Sequence, residues 1–89
     1  MNWNSKKMLK YLESKDLVVT SVGGKSEDRE YGTFLSYEDK EFIKVLINQT
    51  MLLIKQIIVT ESSVEFCYCY NQPCVEAYYE NIDNIEVIG

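Results

Sequence analysis

Tyr37 to Val59 reads YEDKEFIKVLINQTMLLIKQIIV, and the fold turns on whether this stretch is one helix or two strands. On a helix, Phe42, Ile43, Leu46, Ile47, Leu53, Ile54, Ile57 and Ile58 share one stripe that only Thr50 breaks, with Glu41, Lys44, Asn48, Lys55 and Gln56 on the opposite side. Ser36 and Asp39 have capping-box spacing, although Asp is not the preferred residue at the second position. On strands, residues 42–47 and 51–59 flank a turn at Asn48-Gln49-Thr50. That turn lacks Gly and Pro, and the apolar alternation is poor. The high Ile and Val content pulls toward strand, because β-branched side chains suit a pleated surface. The helix is ahead by a small margin, and both alternatives stay open.

Upstream, residues 4–14 have a helical pattern: Asn4 or Ser5 can cap it, Met8, Leu9 and Leu12 make its apolar stripe, and Lys6, Lys7 and Lys10 face water. Trp3 stands just before the cap, placed to staple onto Met8 or Leu9. Residues 17–22 are rich in β-branched side chains and end at Gly23-Gly24, which predicts a strand followed by a charged loop through Glu30. A second strand is expected from Tyr31 to Tyr37, with its inward face undecided between Thr33/Leu35 and Gly32/Phe34. Downstream, residues 63–70 alternate, with Val64, Phe66, Tyr68 and Tyr70 on one face and Glu65, Cys67 and Cys69 on the other. A turn at 71–74 with the only proline returns the chain into Val75–Tyr79 as a hairpin, and a bend at Glu80-Asn81 leads into a last short strand, Ile82–Ile88. These patterns predict one domain of α+β class. It has an N-terminal helix and a bent antiparallel sheet of about four to five strands, with 37–59 as a second helix or as two further strands of a small barrel.

The ending Tyr79-Glu80-Asn81-Ile82-Asp83-Asn84-Ile85-Glu86-Val87-Ile88 resembles the closing strand of Sm-like small β-barrels. Gly32-Thr33-Phe34-Leu35, followed by Asp39 and Phe42, is similar to the Gly-x-Leu…Asp stretch of the same family. The resemblance covers about half the chain and implies a small barrel that can assemble into a ring. It departs where that family contacts RNA: the Asn position falls on Ile43, and the Arg-Gly pair falls on Tyr78-Tyr79. A barrel without the RNA site is what the likeness implies, and a central helix over 37–59 would contradict it.

Charge divides the chain. Residues 1–26 hold five lysines against Glu13 and Asp16, a net +3, whereas residues 27–89 hold four basic and twelve acidic residues, a net −8. After Lys55 there is no Lys or Arg, while Glu61, Glu65, Glu76, Glu80, Asp83 and Glu86 follow. Direct nucleic-acid binding needs a row of cations along the phosphates, which only the N-terminal lysines begin to supply. No apolar run long enough for a signal peptide or a membrane span is present, so a cytoplasmic protein without membrane contact is expected. Three cysteines without a secretory signal are read as reduced thiols.

The absence of histidine removes the commonest general base and zinc ligand. Cys67-x-Cys69-x4-Cys74 is the one grouping like a ligand set; a structural zinc needs a fourth donor, so no metal or other cofactor is expected. Gly23-Gly24-Lys25-Ser26 echoes a phosphate loop but has Val19 where the first glycine belongs. No residue set specifies catalysis, and a non-enzymatic protein is expected. Glu65, Tyr68, Tyr70, Glu76, Tyr78, Tyr79 and Glu80 form the candidate partner-binding set. Tyrosines among carboxylates suit a basic protein surface, as in an inhibitor that covers a nucleic-acid-binding groove. The alternative is a homo-oligomeric small β-barrel that binds a small ligand or nucleotide.

Overall fold

The computed structural model describes residues 2–23, 32–68 and 74–89. The elements are α1 (Ser5–Ser14), β1 (Val18–Val22), β2 (Thr33–Ser36), β3 (Ile43–Ile47), β4 (Thr50–Ile54), β5 (Gln56–Val59), β6 (Ser63–Cys67), β7 (Val75–Tyr78), a 3₁₀ turn (Tyr79–Asn81) and β8 (Ile85–Val87). One helix with two antiparallel sheets makes this an α+β fold, with strand orders β1-β2-β5-β6-β7 and β4-β3-β8.

The helix favoured for 37–59 is therefore corrected: the segment carries β3, β4 and β5. Ile43, Val45 and Ile47 point inward and are buried, while Lys44 is exposed and Leu46 half-buried between them. On β4, Leu52 and Ile54 are buried and Met51 and Leu53 exposed. Alternation is masked in the sequence because Leu46, Met51 and Leu53 are apolar residues on the outer face.

The turn that looked unconvincing is built on Asn48. Its φ of 54° is left-handed backbone, which Asn tolerates better than most side chains. The same side chain anchors the turn to the segment before β8: Oδ1 accepts from the Asp83 and Asn84 amides at 2.8 and 3.2 Å, and Nδ2 donates to the Asn81 carbonyl at 3.2 Å.

Pairing shows how one ribbon serves two sheets. Ile47 to Ile43 runs against Thr50 to Ile54 in the smaller sheet, and Leu35 to Thr33 runs against Ile57 to Val59 in the larger. β4 and β5 are separated by Lys55 alone, so this strand turns the corner there, while residues 37–42 span the corner on the other side. The Lys55 ammonium pairs with Glu41 at 3.1 Å and lies 5.6 Å from the Phe42 ring centroid, which ties the two sides of the corner together. β8 closes on β3, with Val45 opposite Val87 and Ile47 opposite Ile85.

The inner faces meet in one buried cluster that includes Leu35, Val45, Ile54, Ile57, Val64 and Phe66. The helix adds Met8 and Leu12 to it, as its stripe predicts. Asn4 caps α1 by accepting from the Lys7 amide at 2.8 Å. Tyr11 ties the helix to the smaller sheet, its hydroxyl accepting from the Val87 amide at 3.1 Å. Trp3 packs on the core and meets the Tyr11 ring edge-on at 5.6 Å. In the second strand the inward residue is Leu35. Gly32 lies where a Cβ would come within 2.8 Å of Ile58 Cγ2, so only glycine fits beside β5.

Candidate functional site

The β6–β7 hairpin expected at 63–79 is formed, and its register decides which acids meet. Glu65 stands opposite Glu76, Ser63 opposite Tyr78, and Phe66 opposite Val75. Strand alternation turns Val64 and Phe66 into the core, so Glu65 and Glu76 emerge together on the outer face. Like charges directly opposite each other disfavour a sheet, so this pair has a cost the packing must offset.

A buried polar cluster supports it from the Ser63 end. The Ser63 hydroxyl donates to Glu76 Oε2 at 3.0 Å and lies 3.0 Å from Thr60 Oγ1, which also accepts from the Ser63 amide at 3.0 Å. Tyr79 completes the cluster by donating to the Thr60 carbonyl at 2.6 Å. Glu76 is thus held in place on an edge strand rather than left to swing in solvent.

Of the seven residues singled out for partner binding, Glu65 is half-buried and Glu76, Tyr78 and Glu80 are exposed on the hairpin and the turn after it. Tyr68 is 38% exposed just past the end of β6, on the alternation of Val64 and Phe66 rather than of Glu65. Tyr79 is corrected: only 7% exposed, with its hydroxyl committed to Thr60, it is a core residue. Tyr70 lies outside the described residues, as do Tyr31 and Cys69 and the turn residues 71–73.

The expectation of three reduced thiols is also corrected. Cys67 and Cys74 are bonded, with Cα atoms 4.4 Å apart, and pin the far end of the hairpin. The bond takes two of the three thiols from the ligand set considered above, and no group of three or more metal-ligating side chains occurs among the described residues.

Three features were not foreseen. The first is a groove of about 650 Å³ between the segment before α1 and the 3₁₀ turn, lined by Trp3, Ser62, Tyr78, Tyr79, Glu80 and Asp83 among others. It joins the two ends of the chain, which no local pattern can announce.

The second is another groove of about 650 Å³, between the end of α1 and the β2–β3 connection, where Lys15, Asp16, Tyr37, Asp39 and Lys40 mix both signs of charge. Burial first, then Asp16, Asp39 and Tyr11, push the Tyr37 hydroxyl above its ordinary range. The Lys40 ammonium sits 5.0 Å from the centroid of that ring.

The third is the outer face of the smaller sheet. Met51 and Leu53 are 51% and 54% exposed, next to half-buried Leu46 and exposed Ile88, with Lys44 and Glu86 interspersed.

No family model, curated protein or solved structure matches this chain. Among the described residues no helix is long and apolar enough to cross a membrane.

Proposed function

We propose that this is a non-enzymatic binding protein whose acidic β6–β7 face docks on a basic surface of a partner protein. The observation that carries it is the Glu65–Glu76 pair, two carboxylates brought opposite each other across the ladder on the outer face. Exposed Tyr78 lies on the same strand and Glu80 in the turn that follows. A lysine- or arginine-rich surface complements these carboxylates, and tyrosine supplies contact area at low entropic cost. A partner that uses its basic surface for nucleic acid would be inhibited by this contact.

The test is capture of partners from host lysate on the wild type and on the triple variant Glu65→Lys, Glu76→Lys, Glu80→Lys. Support is a protein retained at low salt, shed at high salt, and absent from the variant. Equal retention by both proteins would refute the docking face. The cytoplasm is the proposed setting, in which case Cys67–Cys74 must form against a reducing pool. Trapping of thiols at the moment of lysis decides that point.

A second function is favoured by the outer face of the smaller sheet: a homo-oligomeric small barrel, as the Sm-like resemblance implies, able to hold a small ligand or nucleotide between copies. This face carries Lys44 and Glu86 among Leu46, Met51, Leu53 and Ile88, so it can meet its own copy without net repulsion, which the β6–β7 face cannot. Sedimentation equilibrium of the wild type against Leu53→Glu is the test. A monomer at all concentrations would rule it out.

A further inference from the structure

We infer that the groove between Trp3 and the Tyr79–Asn81 turn is a subsite for one cationic side chain, an arginine or lysine of the docking partner. This rests on the proposed docking of a basic protein and names the place where a single residue of that protein is read. Three kinds of group converge on the groove. Trp3 and Tyr78 contribute aromatic surface, and Trp3 is half-buried rather than free to turn. Glu80 and Asp83 contribute carboxylates. Among the described residues no lysine or arginine lines it.

Flat aromatic faces with carboxylates nearby attract an ammonium or guanidinium, through the ring quadrupole and through charge. An anionic ligand would be repelled by the same carboxylates.

The walls are held from several directions. The Asp83 amide is bonded to Asn48 Oδ1 at 2.8 Å, Tyr79 is anchored on Thr60, and Trp3 meets Tyr11 edge-on at 5.6 Å. The Lys7 ammonium donates to the Asn2 carbonyl at 3.1 Å and lines the adjoining depression on the helix, not this groove. Glu80 and Tyr78 also belong to the docking face, so a partner lying on β6–β7 has this groove at its border.

Trp3 is the only tryptophan, so its emission reports on this groove and on the adjoining helix depression that it also lines, and the Glu80→Gln/Asp83→Asn variant separates the two. The probe is the blocked tripeptide Gly-Arg-Gly, compared with its lysine and citrulline counterparts; citrulline keeps the shape of arginine without the charge. The expected result is a saturable change in Trp3 emission with the arginine or lysine peptide. Binding should fall about tenfold with citrulline, and about as much in Glu80→Gln/Asp83→Asn, each exposed charge contributing a few-fold. Glu65→Gln/Glu76→Gln should bind the tripeptide within about twofold of wild type, because it leaves the groove intact.

Equal binding of the citrulline peptide, undiminished binding by the Glu80/Asp83 variant, or no saturation would overturn the subsite. A basic partner that still needs Glu65 and Glu76 would then leave the docking face standing without the groove. A partner indifferent to both pairs would remove both.

Discussion

Replacing Glu76 by Gln should weaken partner binding without weakening the fold. Glu65 and Glu76 face each other across the ladder. At a separation of about 6 Å, two unit charges in water repel by roughly 0.7 kcal/mol. A Debye length of about 8 Å at physiological salt lowers this to roughly 0.3 kcal/mol. The amide of Gln keeps an oxygen for the Ser63 hydroxyl, which donates to Glu76 Oε2 at 3.0 Å, so the buried serine retains its partner. Urea unfolding at low salt should show the variant equal to wild type or up to about 0.7 kcal/mol more stable, a gain of about 3–5 °C in Tm. The gain should fade as salt rises. Glu76→Ala removes the acceptor along with the charge, and should lie below the Gln variant by about 0.5–1.5 kcal/mol. The same Gln variant should bind the basic partner several-fold more weakly, with a shallower dependence on salt. A Gln variant that is clearly less stable than wild type at low salt would show that the carboxylate serves the fold, and the inference from paired charges to a partner would fail.

Tyr79→Phe removes the hydroxyl that donates to Thr60, and should cost about 1–3 kcal/mol in urea unfolding; a loss below the resolution of the method would place Tyr79 outside the core network. The Tyr37 hydroxyl is raised above its ordinary 10.0, so its neutral form stabilises the fold fully below that pH, and the contribution is lost as pH climbs through the folded value. Tyr37→Phe should therefore flatten the alkaline limb of stability against pH, and an unchanged limb would refute this. Cys67 and Cys74 lie seven residues apart, and reduction of a loop this short should cost about 2.5 kcal/mol on the chain-entropy account. Thiol titration of the denatured protein should find one of the three cysteines free before reduction and all three after it; three before reduction would refute the pairing.

The class of fold was legible because its flanks carry strong local patterns. The Asn4 cap with Met8 and Leu12 predicts α1, and the alternation of Val64 and Phe66 predicts β6. The middle was ambiguous for a physical reason. Leu46, Met51 and Leu53 are apolar on an outer face, which fills the polar half of a strand pattern and simulates a helical stripe. The turn at 48–50 looked weak because Asn48 supplies the left-handed backbone that Gly was expected to supply. Tyr79 entered the partner-binding set by composition; beside outward-facing Tyr78 its ring turns inward, and its hydroxyl is taken by the Thr60 carbonyl. Glu65 and Glu76 were singled out by composition, but their meeting depends on hairpin register, which composition does not contain. Trp3 and Asp83 are eighty residues apart by number, and only the closed fold brings them to one groove.

The fold divides the acid-rich stretch after Lys55 into parts that a net charge would treat as equal. Glu86 goes to the outer face of the smaller sheet, opposite Leu46, while Glu76 is held beside Glu65 on the larger one. Glu86→Gln and Glu76→Gln make the same change in total charge, so they should slow the approach of a basic partner by similar, modest amounts. Once the partner is seated, only Glu76 loses a contact, so only Glu76→Gln should speed dissociation. Stopped-flow association together with dissociation by dilution separates the two effects. Equal dissociation rates for both variants would mean that the partner reads the overall field of the protein and not the β6–β7 face.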